Sequence, residues 1–215
     1  MSFKKIIKSI ILSRFPRLYK LIQLHYHYKL MNEIEIDPTT KIIFPFTANK
    51  SSIGRYTYLS RNCMLYNTTI GSFCSIGPNL ICGWGVHPID TISTHPMFYS
   101  TKKQNGITLS SVDKIEEHKC IKIGNDVFIG MNVTILDGVN IGDGAVIGAG
   151  SIVSKDIPAY AVAFGNPIKI IKYRFDKDII DALIKIQWWN FDLNKLKEVE
   201  KYFFDVNDFI IKNKI

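Results

Sequence analysis

The feature that most limits what this chain can fold into is a fixed six-residue repeat of aliphatic side chains. Ile123, Ile129, Ile135, Ile141, Ile147 and Val153 lie six residues apart, and Gly124, Gly130, Gly142 and Gly148 directly follow four of them. Neither the 3.6-residue period of an amphipathic helix nor the alternation of a half-buried strand divides this spacing well. A coil of short strands with regular corners does. In such a coil each aliphatic points inward and stacks on its equivalents above and below, while the glycine beside it accommodates the corner. Each buried rung is worth roughly 1.5–3 kcal/mol, so a continuous ladder is stable where one repeat is not. An upstream block repeats the pattern with a defect. Ile53, Leu59 and Leu65 keep the six-residue step, and Ile70 and Ile76 resume it after a step of five, so one corner is short by a residue.

Between the two blocks, residues 84–119 abandon the period, carry Pro88, Pro96 and several aromatics, and end in the charged run from Asp113 to Lys119. A stretch this long without the repeat reads as a loop extruded from the coil, and long loops in compact domains are usually functional. The ends of the chain differ in kind. Residues 3–24 place Phe3, Ile6, Ile7, Ile10, Ile11, Phe15, Leu18 and Ile22 at helical spacing among Lys and Arg, with Pro16 as a break, and predict two helices. This basic segment suits packing on the protein first and an anionic membrane surface second. Asp176–Gln187 and Leu193–Ile211 also read as helices, placed to cap the open end of the coil. The expected organisation is therefore a helical segment over 1–33, the coil with its extruded loop over 34–163, and a connector with helices over 164–215.

Composition narrows what such a chain does. Apolar residues make up 47% and aromatics 12%, enough to support a fold nearly end to end. A net charge of +8 suits nucleic acid, an anionic membrane or a phosphorylated ligand. No nucleic-acid motif or basic patch with interleaved aromatics is present, so nucleic acid is not an expected partner. Cys63, Cys74, Cys82 and Cys120 form no CxxC pair and have no His at ligand spacing, so buried reduced thiols are expected and no metal site. The apolar stretch Ile6–Leu12 is broken by Lys8 and followed by Arg14, unlike a secretory signal, and a cytoplasmic location is expected.

The run Ile123-Gly-Asn-Asp-Val-Phe-Ile-Gly130, continuing through Ile141-Gly-Asp-Gly-Ala-Val-Ile-Gly-Ala-Gly-Ser151 to Gly165-Asn-Pro167, resembles the hexapeptide-repeat acyltransferases. Arg174-Phe-Asp-Lys-Asp-Ile-Ile-Asp-Ala-Leu, with Trp188-Trp-Asn-Phe191 after it, is similar to their xenobiotic acetyltransferase branch. The resemblance implies a mainly β protein: a left-handed parallel β-helix that assembles as a homotrimer and binds acetyl-CoA between adjacent coils. The loop residues His87-Pro-Ile-Asp90 and Ser93-Thr-His-Pro-Met-Phe-Tyr-Ser100 look most like sugar O-acetyltransferases of surface polysaccharide synthesis. Peripheral contact with the inner membrane through the N-terminal segment is compatible with that role.

Acetyl transfer from a thioester to an alcohol needs a base, and histidine titrates near neutrality. The resemblance places the catalytic histidine at His87. Asp90 either orients that imidazole, as carboxylates do in catalytic triads, or caps a turn before Thr91. His95 has suitable chemistry in the same loop, but packing is its expected role. Family correspondence assigns acetyl-CoA to Phe128, Gly130, Met131, Ala149, Ser154, Lys155, Lys169 and Lys172. Small residues there would open backbone amides to the pantetheine arm, and lysines would meet the phosphates. Phe128 stands where the family usually has Trp, which keeps packing and loses an indole hydrogen bond. Trp84, Phe98 and Tyr99 are suited to stacking on an acceptor ring or to packing the loop. The reading is thus an acetyl-CoA-dependent O-acetyltransferase acting on a sugar hydroxyl. Its competitors are a drug O-acetyltransferase of the chloramphenicol or streptogramin type, an amino-sugar N-acetyltransferase and a non-catalytic β-helix scaffold.

Overall fold

The computed structural model describes residues 31–213, and the helices expected over 3–24 lie outside them. The backbone winds into a prism with three parallel faces, each a ladder of short strands. Along the first face Ile42, Leu59, Ile76, Ile129, Ile147 and Ala163 succeed one another from coil to coil. Along the second run Ala48, Leu65, Cys82, Ile135 and Val153. Ile36, Ile53, Ile70, Ile123 and Ile141 form the third. Apart from Ile36 and Ile42, which pack against the core at its first coil, these side chains are buried in one continuous core. The aliphatic period of the sequence is therefore the inward ladder of a parallel β-helix.

The short corner upstream is real. Leu59 pairs with Ile76, a coil of 17 residues, whereas Ile129 pairs with Ile147, a coil of 18. The missing residue is absorbed at Tyr66 and Asn67, between the buried Leu65 and Ile70, where Asn67 takes a left-handed φ of 47°. After the last coil, strand Lys169–Tyr173 folds back antiparallel on Ala161–Phe164 and continues the first face past residue 163.

The extruded loop leaves the second face after Ile81–Cys82 and returns on the third at Ile121–Ile123. One carboxylate holds both of its ends. Asp137, one coil further along the same edge, accepts from the amides of Trp84 and Gly85 at 3.0 Å each and of Lys119 at 3.3 Å. Val86 N–H donates to the Glu117 carbonyl at 2.8 Å and zips the stem above it. Glycine is required at position 85: its φ is +90°, and a Cβ there would stand 2.9 Å from the His118 ring.

At the far end, helix α1 (Lys177–Ile186) turns Ile180, Leu183 and Ile186 inward against Tyr160, Phe191 and Phe209. The helix expected over 193–211 is instead two, α2 (Leu196–Lys201) and α3 (Val206–Lys212). Asp205 accounts for the break, because its side chain accepts from the Asp208 amide at 3.1 Å and starts α3 afresh. Arg55 ties this cap to the coil by donating to the carbonyls of Trp189 and Phe191. Arg174 does so by donating to the Gly144 carbonyl at 2.8 Å and to Asp126 at 3.1 Å. Among the described residues no helix is long and apolar enough to cross a membrane. Cys63, Cys74 and Cys82 are buried, and burial pushes the Cys74 thiol up to about 12; Cys120, expected to be buried, is exposed at the loop's return.

Candidate active site

His87 sits three residues beyond the clamped root of the loop, with its ring exposed. Its Nδ1 lies 2.9 Å from the carbonyl oxygen of Thr94 and 2.7 Å from the hydroxyl of Tyr99. A carbonyl can only accept, so the Thr94 contact is a hydrogen bond in the tautomer that carries its hydrogen on Nδ1. The neutral ring then carries its lone pair on Nε2, the form a general base needs. Asp90 is exposed and makes no hydrogen bond to His87, so the orienting role considered for it falls to the Thr94 carbonyl. No hydrogen bond among the described residues shows Asp90 capping a turn either. His95 is the N-cap of the short helix Pro96–Phe98, where its Nδ1 accepts from the Met97 amide at 3.2 Å.

The loop is built around a buried carboxylate. Glu117 accepts from Ser100 Oγ at 2.9 Å and from Gln104 Nε2 at 2.7 Å, and Lys102 Nζ lies 2.6 Å away. Burial alone would raise the Glu117 pKa, but Lys102, Ser100 and Gln104 together outweigh it and hold the carboxyl below its ordinary range. Tyr99 is only 5% exposed, and its phenol is pushed above its ordinary pKa by burial and by the charge of Glu117. It is therefore a neutral hydroxyl fixed against His87, and not a free stacking surface.

Beside this pair opens a cavity of about 700 Å³ walled by Pro88, Ile92, Phe98, Tyr99 and Ile115, with Thr91, Ser93 and Lys114 as its polar groups. Phe98 is 46% exposed on that wall. Trp84 lies outside the cavity, at the loop root, and is 62% exposed although its amide is held by Asp137.

The residues assigned to acetyl-CoA fall into separate groups. Phe128 points outward from the first face between Ser75 and Val146. Gly130 is buried and turns the corner beyond it, where a Cβ would come within 2.6 Å of the Ala149 amide nitrogen. Met131 and Ala149 are exposed on the edge between the first and second faces. Lys169 and Lys172 are exposed on the antiparallel strand that extends the first face. Ser154 and Lys155 follow Ile152–Val153 and so lie on the other edge of the second face, the one from which the loop springs. Between the two edges runs the short strand Thr134–Ile135, entered through a turn at Met131 and Asn132, where Asn132 takes a left-handed φ of 57°. No hydrogen bond among the described residues joins the loop to Met131 or Ala149. The Ala149 N–H has no acceptor among them, and a side chain at neighbouring Gly150 would meet open space, so this corner offers a free amide on an open edge.

Sequence reasoning missed the Thr94 carbonyl, the Glu117 cluster and Asp137. A backbone acceptor leaves no mark in side-chain identity. Glu117 lies within the charged run from Asp113 to Lys119 and Asp137 carries no motif of its own, and only the folded loop reveals what they hold.

Known proteins resemble this chain in sequence and in shape. Residues 120–155 match the family Bacterial transferase hexapeptide (six repeats). A chloramphenicol acetyltransferase of Klebsiella aerogenes is 37% identical over 165 residues, which are 67% of this chain and 78% of that one. A polysialic acid O-acetyltransferase of Escherichia coli O1:K1 / APEC is 35% identical over 152 residues, 70% of this chain and 42% of the relative. Among solved structures, a galactoside acetyltransferase in complex with coenzyme A superposes with a TM-score of 0.52, with 31% identity across 70% of this chain and 68% of that one.

Proposed function

We propose, from the premise that this chain belongs to the hexapeptide-repeat acetyltransferases and is an enzyme of that kind, that it moves an acetyl group from acetyl-CoA to a sugar hydroxyl with His87 as general base. The observation that carries this reading is the Thr94 carbonyl at His87 Nδ1, which leaves Nε2 as the proton acceptor. Acetyl-CoA supplies the acetyl group already activated as a thioester. His87 Nε2 takes the proton of the acceptor hydroxyl as that oxygen bonds to the acetyl carbon. The imidazolium then returns the proton to the departing sulfur, so the base is regenerated within one turnover.

The free Ala149 amide and the open space at Gly150 suit the pantetheine arm, with Phe128 and Met131 as flanking packing and Gly130 keeping the corner low. Ser154, Lys155, Lys169 and Lys172 are the candidates for the polar and phosphate end. Because the loop edge and the Met131–Ala149 edge stand on opposite sides of one face, the complete site is built in a homotrimer, where the loop of one copy meets the other edge of its neighbour. The acceptor enters over the loop cavity, with Phe98 on its wall and Trp84 available at its rim.

A sugar acceptor is favoured by the His87–Ser100 loop and by relatives named for polysialic acid and galactoside. An antibiotic hydroxyl is the second reading, favoured by the apolar cavity wall and by the relative named for chloramphenicol. Purified protein given acetyl-CoA with an oligosaccharide, an amino sugar, chloramphenicol or a streptogramin separates them by CoA release. Turnover with a sugar and a product acetyl group lost in mild alkali is expected. Rapid release with a drug alone overturns the sugar acceptor, and an alkali-stable product overturns O-acetylation. His87→Ala should lower kcat by about 10²–10⁴ with the fold intact; unchanged turnover would sink the assignment of the base.

A further inference from the structure

We infer that Tyr99 is a positioning residue of the reaction: its phenol oxygen, together with the Thr94 carbonyl, does for His87 what a carboxylate does in a triad. This rests on the reading of His87 as the base. Nδ1 has one hydrogen, and two oxygens stand within bonding distance of it, Thr94 O at 2.9 Å and Tyr99 Oη at 2.7 Å. The carbonyl has no hydrogen to give, so the hydrogen belongs to Nδ1 and both oxygens share it as acceptors. The alternative, in which Tyr99 donates to a bare Nδ1, would leave a lone pair facing the carbonyl oxygen and put the hydrogen on Nε2. That ring could not act as a base.

When Nε2 takes the substrate proton, the ring becomes a cation and Nδ1–H a stronger donor. Hydrogen bonds to charged groups are roughly twice as strong as neutral ones, so both acceptors stabilise the imidazolium more than the neutral ring. Tyr99 thus favours the state formed during transfer without carrying a charge into the site. The phenol cannot serve as a base itself, because burial and the neighbouring Glu117 charge both hold it protonated.

The position of the phenol is set by the loop core. The Tyr99 amide donates to Pro96 O at 3.1 Å, and its carbonyl accepts from the Lys114 amide at 2.8 Å. The next residue, Ser100, is fully buried, bonds Glu117 through its hydroxyl and accepts from Thr108 Oγ1 at 2.7 Å through its carbonyl. Tyr99 is therefore anchored from three segments of the loop, as an orienting group must be. Its Oη needs no second contact with the ring's surroundings to do this work.

Tyr99→Phe tests the assignment, because it keeps the ring and removes only the oxygen. The expected result is a fall in kcat of about 10-fold or more, with the KM for acetyl-CoA unchanged and the acid limb of the pH–rate profile moved to lower pH, since the imidazolium has lost an acceptor. Isothermal titration with CoA, read alongside, reports whether the variant still folds and binds. A variant that binds CoA normally but keeps wild-type kcat and pH profile, or that changes only the KM for the acceptor, overturns the inference. His87→Ala distinguishes the two levels. If it is inactive while Tyr99→Phe is unaffected, only the role of Tyr99 fails; if it turns over normally, the base assignment fails and takes this one with it.

Discussion

At the scale of single residues, the loop shows how an imidazole can be held in place without a neighbouring carboxylate. Asp90 looked suited to the task by its spacing, but spacing along a chain does not say where an irregular segment will turn. The chain brings Thr94 and Tyr99 to His87 and leaves Asp90 in solvent. Asp90→Asn should therefore leave kcat within about threefold of wild type, as surface substitutions usually change energies by only ~0.5 kcal/mol; a large loss measured at saturating acetyl-CoA would restore the carboxylate to the mechanism. Glu117 contributes to the pH dependence of the loop. Its lowered carboxyl stabilises the fold fully above the ordinary value of 4.5, and that stabilisation is lost as pH falls through the lower folded value. Glu117→Gln should cost about 1–3 kcal/mol, nearer the lower figure because Lys102 is half exposed. Thermal melts at neutral pH and in acid read it directly: the gap between variant and wild type should narrow below that range.

At the scale of elements, the root of the loop matters as much as its tip. Asp137 belongs to the regular coil yet gathers the amides of Trp84, Gly85 and Lys119, so the ladder and the loop share one carboxylate whose side chain is 3% exposed. Asp137→Ala would strand three amides, and is expected to speed hydrogen exchange across residues 84–119 while exchange at Ile129 and Ile147 stays slow. It should lower kcat through misplacement of His87, whereas CoA binding is retained. Equal loosening of loop and coil would show that Asp137 supports the ladder and not the loop specifically. The ladder itself obeys the ordinary cost of cavities: Ile129→Ala should destabilise by about 2–5 kcal/mol, seen as a lower melting temperature with no change in the pH–rate profile.

At the scale of the whole molecule, the proposed function divides its groups between two edges of one prism. The proposed trimer joins them across copies, which a mixing experiment can examine. His87→Ala spoils the loop half, and Ala149→Trp sets a bulky indole on the other. Each alone should be inactive, while co-expression should recover measurable activity through sites that draw both intact halves from different copies. Recovery no greater than the sum of the two parents, or sedimentation of the wild type as a monomer, would require each chain to work alone.

What the sequence by itself determined is everything that repeats. A six-residue period states its geometry again at every coil, so the inward ladder, the short corner before Ile70 and the interruption over 84–119 were all readable before any contact was known. The chemistry of an imidazole at position 87 was readable too, through its resemblance to a family. Tertiary structure decided what happens only once. The choice of Thr94 over Asp90, the burial of Tyr99 against the ring, the break of the final helix at Asp205 and the gathering of both loop ends by Asp137 each depend on residues far apart in sequence or on backbone atoms common to every residue. A contact made once, by atoms that every amino acid carries, leaves no pattern along the chain, and that is why the fold was legible and the fine positioning of the His87 imidazole was not.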